Sequence, residues 1–175
     1  MSAVYRSFAT LAVAVSTLIL STFVTATPAP AREVVAFTAR VAPGTIVVRT
    51  NERRLYLVLG EGRALSYPVG VGRAGRQWAG TSIIDGKHVR PDWAPPPDIK
   101  RERPNLPSVI PGGSPANPMG VAALTLSGGD YAIHGTNQPD SIGGFVSYGC
   151  IRMLNADVLD LYTRVSWGAP VVVVR

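Results

Sequence analysis

Ile133-His134-Gly135-Thr136-Asn137 leads through Gly143-Gly144-Phe145-Val146 into Ser147-Tyr148-Gly149-Cys150-Ile151-Arg152-Met153, and the reading of this stretch decides the rest. It holds the lone cysteine of the 175-residue chain and one of its 2 histidines. A free thiol is only a few per cent ionised near neutral pH, so a nucleophilic cysteine needs a neighbouring base. His134 ends an apolar strand and precedes a glycine, an arrangement that aims an imidazole into a cleft. Gly149 lets a substrate backbone approach, and the consecutive N–H groups of Tyr148, Gly149 and Cys150 can hold an oxyanion. Arg152 can favour a thiolate, bind a carboxylate or brace the local loop. The plain alternative is a packed, inert thiol beside a structural histidine.

Outward from this stretch, Arg54–Leu59 and Ala64–Val71 predict a hairpin around the turn Gly60-Glu61-Gly62. Val41–Thr50 predicts a strand before it, and the apolar run Leu55-Tyr56-Leu57-Val58-Leu59 predicts cover on both faces. Gly70, Gly72, Gly75 and Gly80 then break the pattern without the spacing of a nucleotide loop. Val121–Leu126 and Tyr131–His134 predict another hairpin. After Cys150, Val158, Leu159, Tyr162 and Val165 predict a short helix from Val158 towards Trp167, capped from Asn155, and Pro170–Val174 a last strand. The tally is about six strands and one helix, a β-dominated domain.

Pro91–Pro118 carries nine of the 15 prolines, together with Trp93 and the run Lys100-Arg101-Glu102-Arg103. Proline excludes an interior strand or a long helix here. The stretch reads as a linker or as a long ordered loop. The flanks are too short for two independent cores, which favours a loop that covers substrate. Trp93 and Tyr131 are candidates to line the cleft, with packing as the plain alternative, and His88 reads as an exposed loop residue.

Composition removes several function classes. With 46% hydrophobic residues the chain is not disordered throughout, and 17 basic against 11 acidic residues, a net +6, is too modest and too spread for a dedicated nucleic-acid binder. One cysteine excludes an intramolecular disulfide framework, and two histidines leave too few ligands for an ordinary Cys/His zinc site. Residues 1–26 read as an export signal: Arg6, then 12 apolar residues in the 17 of Phe8–Val24, then Val24-Thr25-Ala26. Cleavage is expected after Ala26, with Ala31 as a later site and an uncleaved anchor as the alternative. Loss of Arg6 leaves 16 basic against 11 acidic residues, a net +5. Export puts the lone thiol in an oxidising compartment.

The stretch resembles the active-site signature of the L,D-transpeptidase catalytic domain, the YkuD family. That signature has a histidine followed by glycine, a short spacer, then Ser/Thr-His-Gly-Cys and a polar residue two positions on. His134, Gly135, Ser147, Gly149, Cys150 and Arg152 match it, and Tyr148 stands where the fuller signature has histidine. The likeness extends to Leu55-Tyr56-Leu57, Tyr67-Pro68-Val69-Gly70-Val71-Gly72, Trp93 with Pro95-Pro96, and Asn117-Pro118-Met119-Gly120, so it covers Thr45 to Val174.

The resemblance implies a mainly β, β-sandwich-like catalytic domain over residues 43–175, behind a lead-in at 27–42, with a short helix after the nucleophile and a long Pro-rich loop. It implies Cys150 as nucleophile and His134 as general base and acid. Tyr148 would orient that base through its backbone carbonyl, beside Gly149 at the oxyanion. Arg152, Ser147, Gly135 and Trp93 are assigned to the substrate, with a hydrogen bond within the loop as the alternative for Ser147. Also implied are export to the periplasm and peptidoglycan stem peptides as substrate. A monomer is expected, without metal, cofactor or nucleic acid. The acyl acceptor stays open: a stem amine giving a 3→3 cross-link, an amine of an outer-membrane protein, or water, which would make an L,D-carboxypeptidase. The rivals are a non-catalytic wall-binding module of the same fold and a cysteine protease or amidase, the latter lacking a recognisable Asn/Asp orienting partner.

Overall fold

The computed structural model describes residues 32–175, so the expected export signal lies outside the described residues. The strands are β1 Glu33–Ala36, β2 Ile46–Arg49, β3 Arg54–Gly60, β4 Arg63–Gly72, β5 Gly80–Val89, β6 Ala122–Leu126, β7 Ala132–His134, β8 Phe145–Ser147, β9 Ile151–Met153 and β10 Pro170–Val174. The helices are α1 Pro97–Glu102 and α2 Asn155–Arg164.

Two layers form, one of β1-β4-β3-β2-β10-β5 and one of β5-β6-β7-β9-β4. The strands β4 and β5, of 10 residues each, belong to both. Arg63–Pro68 of β4 pairs with β3 and Val69–Gly70 with β9. Gly80–Ile83 of β5 pairs with β10, and Ile84–Val89 with β6. The sandwich is thereby closed along both sides, which removes most of the exposed strand edge.

Alternation along β3 shows why these residues make strands. Leu55 and Leu57 enter the core between the layers with Tyr67, Val69, Ile84, Leu124, Ile133, Ile151 and Met153. Tyr56 and Val58 turn to a smaller cluster on the other face, with Phe37, Val47 and Ala64. Side chains of a strand alternate between faces, so an apolar run signals a strand covered twice. The second cover comes from the lead-in, whose β1 pairs with β4 and delivers Phe37.

Three expectations change. The glycine-broken stretch ends in β5, which carries no continuous apolar signal because Ile84 is buried while Ile83 is 44% exposed. His88, expected in a loop, is an exposed residue of that strand, opposite Ala123. α2 begins at Asn155, three positions early, and no side chain caps it. Its Val158 and Leu161, with Val165 just beyond, fill the core.

The Pro-rich stretch is an ordered excursion of one domain rather than a linker. Pro97 opens α1, where its missing N–H costs nothing. Trp93 and Ile110 exchange backbone hydrogen bonds at 2.9 and 2.8 Å. A chain rich in proline has few N–H donors for its own carbonyls, and the buried Asn117 supplies them. Its Nδ2 donates to the carbonyls of Pro91, Ile110 and Pro111 at 2.9–3.1 Å, and its Oδ1 accepts from Met119 N at 2.8 Å. Acids of α1 then tie the excursion to the end of β4, through Arg76–Asp98 at 2.6 Å and Arg73–Glu102 at 2.8 Å. Exposed pairs of this kind contribute about 0–1 kcal/mol each, so they set position more than stability.

Candidate active site

β7 and β9 lie side by side in parallel, with Ile133 opposite Ile151 and His134 opposite Arg152. Ile133, Ile151 and Met153 point into the core. By strand alternation His134 and Arg152 share the opposite face, and Cys150, one step before β9, shares the parity of Arg152. The register, carried one residue back from β9, would set Cys150 opposite Ala132, two residues before His134 on β7.

His134 is 4% exposed, and its Nδ1 lies 2.6 Å from the Gly135 carbonyl oxygen. A carbonyl only accepts, so Nδ1 carries the proton and Nε2 keeps its lone pair. Burial pushes the imidazole down to about 4, and the nearby Arg152 charge adds to this. The carbonyl that orients the ring is therefore that of Gly135, not that of Tyr148 as expected. Gly135 is itself buried, donates to Ala122 O at 3.0 Å, and would overlap Asn155 Oδ1 if it carried a Cβ. It holds the base and has no face left for substrate. Asn155 Oδ1 accepts from Thr136 N at 3.0 Å and Val121 N at 3.3 Å, so the residue expected to cap α2 instead fixes the turn after His134.

Ser147 is also turned inward. At 2% exposure, its Oγ donates to Cys150 O at 2.6 Å and accepts from Gly149 N at 3.1 Å. This braces the nucleophile loop, withdraws Ser147 from substrate contact, and occupies the Gly149 N–H expected at the oxyanion. The amides of Tyr148 and Cys150 meet no acceptor among the described residues and remain available. Gly149 adopts φ +128°, and its carbonyl accepts from Trp78 Nε1 at 3.0 Å. The Trp78 ring stacks on Tyr131 at 5.0 Å.

Tyr148 turns its side chain to α1. Its hydroxyl donates to Glu102, and the Arg73 guanidinium lies 4.1 Å from its ring centre. Tyr148, Arg152 and Trp93 line a cavity of about 270 Å³ under the Pro-rich excursion. The Nε of Arg152 is buried with no hydrogen-bond partner among the described residues.

Cys150 is free and partly exposed, with Sγ 3.9 Å from Asp130 O. Burial pushes its thiol up, against the opposing pull of the Ala132 backbone and Arg152. A depressed imidazole and a raised thiol both favour the neutral forms at pH 7. Alkylation of Cys150 by iodoacetamide is therefore expected to rise with pH, with a midpoint above the ordinary thiol value of about 8.5. A fast plateau extending down to pH 5 would instead mark a preformed thiolate–imidazolium pair and overturn this assignment.

Comparison with known proteins identifies the family. The family model described as the L,D-transpeptidase catalytic domain, YkuD, matches residues 43–173. The chain belongs to that family. The probable L,D-transpeptidase ErfK/SrfK of Escherichia coli (strain K12) is 39% identical over 138 residues, 74% of this chain and 43% of that protein. The probable L,D-transpeptidase YbiS of the same strain is 38% identical over 135 residues, covering 72% and 43%. This chain thus spans less than half the length of these two relatives. Among solved structures, the catalytic domain of the Enterococcus faecium L,D-transpeptidase matches with a TM-score of 0.59 at 18% identity, over 78% of this chain and all of that one. An L,D-transpeptidase from Mycobacterium smegmatis matches with a TM-score of 0.56 at 19% identity, over 75% and 58%. At such identities the likeness is one of fold, and it agrees with the mainly β architecture expected for the family.

The L,D-transpeptidase fold uses three residues that the sequence did not mark for the site: Trp78, Asn155 and Glu102. Trp78 is 71 positions from the carbonyl it holds, and no local spacing could have pointed to it. Asn155 carried a signal, but that signal also fitted a helix cap.

Proposed function

We propose that this L,D-transpeptidase domain performs two-step acyl transfer on peptidoglycan stem peptides. The observation that supports the reading is the β7–β9 ladder: it pairs His134, whose Nε2 keeps its lone pair, with Arg152, two residues after Cys150. His134 Nε2 takes the Sγ proton as the sulfur attacks the carbonyl of the L-centre at position three of a tetrapeptide stem. The amides of Tyr148 and Cys150 donate to the developing oxyanion. The C–N bond breaks, His134 returns its proton to the leaving D-alanine amine, and a thioester remains. An amine of a second stem then attacks the thioester, giving a 3→3 cross-link and the free thiol. General-base assistance of this kind contributes about 10²–10⁴-fold. In this reading residues 1–26 direct export to the cell envelope.

Purified protein incubated with defined disaccharide-tetrapeptides is the test. Free D-alanine and a cross-linked dimer are the expected products by mass spectrometry. D-alanine with a tripeptide but no dimer would assign water as acceptor, and a dimer with a protein amine would assign anchoring. Absence of D-alanine release sinks the proposal and favours the non-catalytic module.

A further inference from the structure

Arg152 is an expensive residue as it stands. Its side chain makes no hydrogen bond or ion pair among the described residues, and its Nε is buried. A buried N–H without an acceptor is unfavourable, so an acceptor is expected there in the working state. The cavity it lines holds a second cation without a partner, this one exposed. Arg103 follows α1 on the Pro-rich excursion, and its side chain also has no partner among the described residues. The two charges act on each other, since Arg103 adds to the burial that pulls the Arg152 guanidinium down.

No acidic side chain lines this cavity among the described residues. The acid nearest in the chain, Glu102, is already committed to Arg73 and to the Tyr148 hydroxyl. The rest of the wall is mixed: Trp93, Ile110 and Val146 are apolar, while Asn137, Gln138 and Ser141 add neutral polar groups. Two unpaired guanidinium groups in a small cavity that has neutral polar and apolar walls and no acid describe the recognition of a carboxylate on a short chain. A volume of about 270 Å³ lies just below the usual ~300–1,000 Å³ of drug-sized sites. Arg152 stands opposite His134 in the β7–β9 register and two residues after Cys150, which puts the cavity beside that pair.

We infer that Arg103 and Arg152 form a two-armed clamp for a carboxylate of the donor stem, one arm from the nucleophile strand and one from the Pro-rich excursion. The inference rests on the stem-peptide reading of the site and adds to it a second arm. It gives the excursion a task, since its position decides whether the clamp is closed. Two stem carboxylates share this chemistry: that of the terminal D-alanine and that on the side chain of diaminopimelate.

Three donor stems distinguish the sources: the free tetrapeptide, its terminal carboxamide, and the stem amidated on the diaminopimelate side chain. Arg103 is exposed and unpaired, so Arg103→Gln leaves the fold undisturbed. It is expected to raise KM for the free stem by about 10–100-fold, the range of a charge-assisted hydrogen bond, with kcat much less affected. Arg103→Lys is expected to recover part of that loss. The stem amidated at the clamped position should bind the wild type weakly and lose nothing further in Arg103→Gln. Equal losses on all three stems, or none on any, would overturn the clamp. Calorimetric binding of the same stems to Cys150→Ala reads the clamp without turnover. Carboxylate-dependent binding without D-alanine release from the wild type would retain the clamp while sinking the transfer reading.

Discussion

The Cys150→Ala variant is expected to release D-alanine slower than the wild type by on the order of 10⁴–10⁶-fold, the scale seen when a covalent nucleophile is removed. The reason lies in the state of the pair. His134, held down to about 4 by burial, is a weak base in a dry setting. It can assist a polarisable sulfur but does little for water attacking an unactivated amide. For the same reason Cys150→Ser is not expected to rescue activity, since a hydroxyl needs a stronger base than this imidazole. The alanine variant loses one sulfur at a partly exposed position, so its thermal midpoint should stay near that of the wild type. Incubation with a carbapenem should give a mass adduct on the wild type and none on the variant. Turnover within about tenfold of the wild type in the alanine variant would remove Cys150 from the mechanism.

Gly149→Ala is expected to come second in effect, although it removes no reactive atom. Gly149 sits at φ +128°, a conformation that residues with a Cβ rarely adopt. A Cβ there would overlap the Tyr131 ring, at 2.9 Å from Cδ1 and nearer still to Cε1. Tyr131 cannot easily retreat, because Trp78 stacks on it while holding the Gly149 carbonyl. The backbone must move instead, and it carries Cys150 and the amides of Tyr148 and Cys150 with it. Strain and overpacking each cost about 1–3 kcal/mol, and a shift of ~1 Å at a reacting centre costs about 10²-fold in rate. A thermal midpoint lowered by several degrees with D-alanine release down 10²-fold or more is the expected pair of readings. Wild-type values for both would show that the loop has slack this geometry denies.

Sign matters for the pH response of the fold as well. The folded His134 value of about 4 lies below the ordinary 6.5. Its contribution to stability is complete above 6.5 and is lost as pH falls from 6.5 towards 4, where the unfolded chain binds the proton first.

Much of the architecture was legible from local pattern. The β3–β4 hairpin, the β6–β7 hairpin, the helix after the cysteine and the last strand all follow from apolar period and turn residues. What escaped has a common cause. β5 was hidden because it changes layers at mid-length, so its buried and exposed residues follow two partners rather than one alternation. β1 was hidden because four residues with one buried neighbour carry almost no periodic signal. The closed sides of the sandwich depend on β4 meeting β9, a contact across some 80 residues that no window can see.

The site divides along the same line. Residue type and spacing singled out His134 and Cys150, because chemistry needs a thiol, a base and a glycine, and the chain has few of each. Roles set by hydrogen bonds were not legible. Gly135 matched a signature and so was assigned to substrate, yet it faces inward and holds the base; Ser147 was read as touching substrate or bonding within the loop, and the second holds. Asn155 and Trp78 were assigned elsewhere or nowhere, yet each holds a backbone group beside the reacting pair.

By itself, then, the sequence determined the class of the fold, the family and the pair of residues able to do covalent chemistry. Those depend on composition and spacing, which are properties of the chain. Only the tertiary structure decided which carbonyl fixes the imidazole tautomer, which amides are left for an oxyanion, and which two arginines face one cavity without a counter-charge. Those depend on which polar groups are already satisfied by neighbours far away in the chain, and that is settled only once the layers have closed.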